Sequence, residues 1–147
     1  MRNYAALALR VALGASFLYS VADRFALLGP PGSANVSWGT FARFSSYVAT
    51  LNWYVPKPLV APLAWMDSAL ELVLGLTLIA GLSLRISSLV SALLLLAFAT
   101  TMAIALGIGA PLAYSVFSAS AAAFLLAAYP SKLWSLDQLF LKIARKR

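Results

Sequence analysis

Apolar runs separated by short turn-forming links dominate the pattern along this 147-residue chain. The first, about residues 4–28, is broken only by Arg10 and the Asp23-Arg24 pair. Three more occupy about 59–82, 86–106 and 112–129, and each falls within the roughly 17–25 residues of a bilayer-crossing helix. The second run carries Asp67 and Glu71, the third has no charge, and the fourth is rich in small residues. There Ser115, Ala119 and Ala123 recur every four positions, as do Ser118 and Ala122, a spacing that lets helix backbones approach closely.

The links are equally patterned. Gly29-Pro30-Pro31-Gly32-Ser33 breaks the first helix, and Gly107 to Pro111 forms a tight turn before the fourth. Pro130 closes the fourth run. Between the first two runs, Trp38, Phe41, Phe44, Tyr47, Val48 and Leu51 recur at spacings of three and four. That spacing predicts an amphipathic helix over about 36–52, lying in the membrane interface where Trp and Tyr prefer to sit. Pro56, Pro58 and Pro62 lead into the second span, with Pro62 expected in a first helical turn. In the tail, Ser135-Leu136-Asp137-Gln138 reads as a capping box. It opens a helix over about 135–146 with Leu136, Leu139, Phe140 and Ile143 on one side and Lys142, Arg145, Lys146 and Arg147 for anionic headgroups. The pattern predicts an all-α fold: one domain over 1–147, a four-transmembrane-helix bundle with an external interfacial helix and a cytoplasmic C-terminal amphipathic helix.

Composition sharpens this reading. Hydrophobic residues make up 63% of the chain and charged residues 10%, against about 25% charged in a soluble domain. Without cysteine there are no disulfides, thiolate ligands or dithiol chemistry, and without histidine no imidazole ligation. No metal site is expected. The net charge of +7 flanks the apolar runs, a topology signal and a lipid contact, so nucleic acid is not an expected partner. Ser20-Val21-Ala22 has the form of a small-x-small cleavage site, but Arg10 interrupts the apolar run before it, and the segment is expected to be retained. Arg2, Arg85, Lys132, Lys142, Arg145, Lys146 and Arg147 fall on one side of a four-span arrangement, and Arg24, Arg43 and Lys57 on the other. The first side is therefore cytoplasmic and holds both termini.

The candidate chemistry lies in the charges inside the spans. Asp67 and Glu71 sit one turn apart on a helix face, at a cost of about 3 kcal/mol per charge at bilayer depth on insertion scales. Arg10 and Arg24, close to four turns apart, share a face of the first helix with Phe17 between them. Antiparallel packing then predicts a buried seam pairing Arg24 with Asp67 and Arg10 with Glu71, while Asp23 faces away, toward interface water or the external loop. Such pairs also serve simply to hold a bundle in register. The functional alternative is a quinone or other carbonyl-bearing ligand beside the seam, with Asp67 and Glu71 passing protons, and Arg10, Arg24, Phe17, Trp65 and Tyr114 binding it. Phe25, Trp38 and Tyr47 extend the aromatic wall, and an interfacial aromatic belt explains each such residue equally well.

The string Leu9-Arg10-Val11-Ala12-Leu13-Gly14-Ala15-Ser16-Phe17-Leu18-Tyr19 resembles the first-helix signature of the DoxX family of small bacterial and archaeal membrane proteins. Glu71-Leu72-Val73-Leu74-Gly75-Leu76, followed by Gly81 and Arg85, resembles its second helix, and Trp134-Ser135-Leu136-Asp137 its carboxyl-terminal pattern. Where that family often has Gly-x-x-Lys, this chain has Ala22-Asp23-Arg24-Phe25, and the resemblance gives Asp23 no role. The resemblance implies a multi-pass protein of the cytoplasmic membrane: a subunit of a quinone-linked oxidoreductase, respiratory or acting on sulfur compounds. Such a subunit would anchor partner subunits and contribute a quinone site, with the redox centres on a partner. The competing reading is a non-catalytic structural or assembly subunit packed around a larger membrane complex, and a small transporter or channel is a weaker third.

Overall fold

The computed structural model describes residues 1–130 and 133–139. Helix α1 spans Arg2–Arg24, α2 Phe41–Leu51, α3 Lys57–Ala80, α4 Leu84–Leu106, α5 Gly109–Ala113 and α6 Val116–Ala128. Among the described residues, α1, α3 and α4 are long and apolar enough to cross a membrane. The fourth run behaves differently from its pattern. Ser115 adopts a left-handed conformation (φ 55°) and splits it into the five-residue α5 and the 13-residue α6. At 1.5 Å per residue α6 rises about 20 Å, short of the roughly 30 Å hydrocarbon core. The predicted helix over 112–129 is therefore interrupted near its start.

Two helix pairs build the molecule, α1 on α3 and α4 on α6. The α4/α6 contact is made by small residues: Ala92, Ser88, Ser91 and Ala123 are fully buried, and Ser120 donates from Oγ to the Ala92 carbonyl at 2.8 Å. The buried face of α6 runs through Ser120, Ala123 and Ala127, whereas Ser115 and Ser118 of the expected stripe are exposed.

In the α1/α3 pair, Gly14 and Gly75 set the register. A Cβ on Gly14 would lie 2.7 Å from Ile79 Cγ1, and one on Gly75 would lie 2.8 Å from the Leu18 side chain. Side chains there would force the backbones apart. Leu13, Phe17, Leu74, Leu78, Ala92, Ala123 and Leu126 then close a core shared by all four long elements. Pro62 lies inside α3, which begins at Lys57, so the proline falls in the second turn and not the first. It lacks the N–H that would bond to the Pro58 carbonyl. Gly81 ends α3 at φ +72°, its N–H donating to the Thr77 carbonyl at 2.9 Å, a left-handed cap that suits glycine.

The tail folds back against this end. Ser135 Oγ accepts the Gln138 N–H at 3.2 Å, and residues 136–139 are helical. The remainder of the predicted helix over 135–146 lies outside the described residues.

Candidate functional site

The site begins with Arg24 in the last turn of α1 and the Asp67 to Glu71 turn of α3. Arg24 Nη1 donates to Asp67 Oδ2 at 3.3 Å and to Ser68 Oγ at 2.9 Å. Nη2 donates to Glu71 Oε1 at 2.9 Å and to Ser20 Oγ at 3.3 Å. Glu71 Oε2 is also 2.9 Å from Nη2, within ion-pair reach but without hydrogen-bond alignment. One guanidinium thus bridges both carboxylates. All three groups are buried, with residue exposures of 3% for Arg24, 8% for Asp67 and 2% for Glu71. The Phe44 ring covers the guanidinium, with Cζ 3.6 Å from its centroid, a cation–π contact from α2.

Arg10 does not join this seam. Its Nη1 and Nη2 donate to the carbonyls of Leu133 and Trp134, at 3.2 and 3.0 Å. The predicted Arg10–Glu71 pair fails on axial register. The Gly14/Gly75 crossing puts Arg10 one turn to one side of the contact and Glu71 one turn to the other, roughly 11 Å of rise apart. Gly81 lies at the level of Arg10 instead, and a Cβ there would meet Arg10 Nη1 at 2.8 Å.

Asp23 faces away from the seam and reaches the loop. Buried at 2% exposure, it accepts the N–H groups of Ser37 and Trp38 on Oδ2 and of Gly39 on Oδ1, each at 3.0 Å. Three backbone donors on one carboxylate fix the segment that carries Trp38. Tyr19 adds a hydroxyl bond to the Asn35 carbonyl.

A cavity of about 590 Å³ opens beside the seam. Its walls come from the α2-facing halves of α1, α3 and α4, from the start of α6 and from α2 itself. Arg24, Asp67 and Glu71 supply its polar wall, while Phe17, Trp38, Phe44, Tyr47, Phe98 and Tyr114 supply aromatic surface. Trp38 packs on Tyr47 with centroids 4.7 Å apart and edge-on to Phe44 at 5.7 Å. Burial, and secondarily the Tyr114 phenol, push the Tyr47 hydroxyl above its ordinary pKa.

Of the sequence candidates, Arg24, Asp67, Glu71, Phe17 and Tyr114 meet at the cavity and Arg10 does not. Trp65 does not line the cavity: it is half-exposed, 4.3 Å from Phe41 and 5.6 Å from Phe25 between centroids, with Phe41 in turn 6.1 Å from Phe44. The sequence reading missed Ser20, Ser68 and Phe44. Ser20 and Ser68 carried a usable signal, one turn before Arg24 and next to Asp67, whereas Phe44 reaches Arg24 only through the loop fold.

The family model for methylamine utilisation protein MauE matches residues 2–113. The chain belongs to the MauE family. We found no match among curated proteins or among solved structures. MauE membership replaces the resemblance to DoxX, and the quinone-oxidoreductase subunit inferred from that resemblance falls with it. The strings that suggested DoxX have local physical explanations. Gly14 and Gly75 permit a close helix crossing, and Arg10 and Gly81 hold the tail. Any helical hairpin built this way would need similar residues. As a MauE protein the chain is a multi-pass membrane protein whose family is named for methylamine utilisation.

Proposed function

We propose that this MauE protein is a membrane-embedded accessory factor for methylamine utilisation, supporting assembly or maturation of the redox enzyme of that system without carrying electrons itself. The observation that carries this reading is the family match over residues 2–113. Two features support it. The sequence holds neither cysteine nor histidine, so thiol exchange and imidazole-held redox metals are closed to its own side chains. Among the described residues, the buried ion pairs join helix to helix, with Arg24 of α1 bridging Asp67 and Glu71 of α3. In this reading Asp67 and Glu71 hold the bundle together and are not proton-transfer catalysts. Both termini face the cytoplasm, as the distribution of positive residues favours. The bonds from Arg10 to Leu133 and Trp134 support a tail that returns toward the start of α1 although α6 is short, and reporter fusions at either end test that orientation.

Deletion of the gene in a host growing on methylamine tests the function. The expected result is loss of that growth, normal growth on other substrates, normal methylamine uptake, and little active methylamine-oxidising enzyme in extracts. Fully active enzyme in the deletion strain overturns the reading. Lost uptake with intact enzyme would indicate transport.

A further inference from the structure

The seam beside the cavity is unbalanced. One guanidinium faces two carboxylates, leaving a formal excess of one negative charge when both acids are ionised. Within the wall, Asp67 Oδ1 and Glu71 Oε2 are buried acceptors without a hydrogen-bond partner, as is the Arg24 Nε donor, while the other oxygen of each carboxylate is held by Arg24. A buried acceptor left open costs stability unless something donates to it. The groups around it narrow the choice. Phe44 is already engaged by Arg24, but Trp38 and Tyr47 gather beside it on the α2 side of the same cavity, and aromatic faces attract cations, including alkylammonium groups. The remaining wall is chiefly aliphatic, from residues such as Leu63, Leu70, Leu94 and Leu95.

We propose that this cavity is a binding site for an organic monocation: an ammonium group donating to Asp67, with its alkyl body along the aliphatic wall and the Trp38/Tyr47 aromatics beside it. The inference goes beyond the accessory role and stands on the cavity's chemistry alone. At about 590 Å³ the cavity has room for far more than a methyl substituent, so an alkyl chain or several substituents fit. The ammonium has two available sources, a free alkylamine or the headgroup of phosphatidylethanolamine.

The test uses the full chain in phosphatidylcholine nanodiscs, titrated calorimetrically with hexylammonium and with 1-hexanol against empty discs. The expected result is saturable hexylammonium binding about tenfold tighter than hexanol, the preference a single charge-assisted hydrogen bond supplies. Asp67→Asn should bring the two affinities together, and Trp38→Leu should weaken hexylammonium more than hexanol. Equal affinities in the wild-type protein, or uptake no greater than by empty discs, overturn the proposal. The former would mean that a proton and not a ligand neutralises the pair. Discs containing phosphatidylethanolamine separate the sources: competition with hexylammonium assigns the site to the lipid headgroup, and unchanged binding assigns it to a free amine. Because the readout is binding to purified protein, its failure is distinct from failure of the accessory role.

Discussion

Helix α1 carries two buried arginines, and they live in opposite environments. At the tail end, Arg10 spends its charge on the carbonyls of Leu133 and Trp134, against the closely packed Gly81 turn. Nearby, Asp137 accepts the N–H groups of Ser83 and Leu84 at 2.7 and 3.1 Å, a negative charge at the N-terminus of α4. At the α2 end, Arg24 meets two carboxylates beside a cavity, under a loop held by Asp23. The first end is a clasp made of side chains closing on backbone. The second is a charged wall with an acceptor to spare. The same residue type on one helix face thus bonds to backbone where the tail fills the space and to carboxylates where a cavity lies beside it.

The largest expected effect breaks the second environment. Arg24→Met strands two carboxylates in low dielectric and should cost roughly 3–5 kcal/mol, read as a lowered unfolding midpoint in detergent. Arg10→Met should cost less, about 1.5–3 kcal/mol for its charged hydrogen bonds, and should raise protease sensitivity of the tail. Equal losses would erase the distinction between the two ends. Adding Asp67→Asn and Glu71→Gln to Arg24→Met should restore most of the stability, because the stranded charge is then gone.

Next in size is the register between the ends. Gly75→Val forces a side chain into the Leu18 contact, 2.8 Å from where its Cβ would sit. Overpacking of this kind costs about 1–3 kcal/mol. It should disturb Arg24 and Arg10 together, which a crosslinking series between α1 and α3 would show as shifted pairs. Asp23→Asn should act locally, speeding hydrogen exchange of the Ser37, Trp38 and Gly39 amides with a global loss of about 1–2 kcal/mol. Exchange unchanged at those amides would mean the loop is held by other contacts. The smallest effect is Asp137→Asn, about 0.5–1 kcal/mol for lost charge at a helix N-terminus, seen as a modest drop in midpoint that high salt narrows.

Much of this was written in the residues themselves. Apolar run length marks α1, α3 and α4 as spans, and the shared α3 face of Asp67 and Glu71 follows from helical spacing. Antiparallel neighbours then lead to the Arg24–Asp67 pair. The absence of cysteine and histidine limits the chemistry at once. Other features were decided in three dimensions. Periodicity specifies which face of a helix turns inward, but not how far one helix slides along another. That slide is set where backbones come closest, at Gly14 and Gly75, and it sends Arg10 to the tail and gives both acids to Arg24. The break at Ser115 likewise lies within a run, 112–129, that holds no charge, glycine or proline to mark it. The cavity exists because the helices pack tightly at one end and leave α2 to roof the other, a property of the assembled bundle and of no single segment.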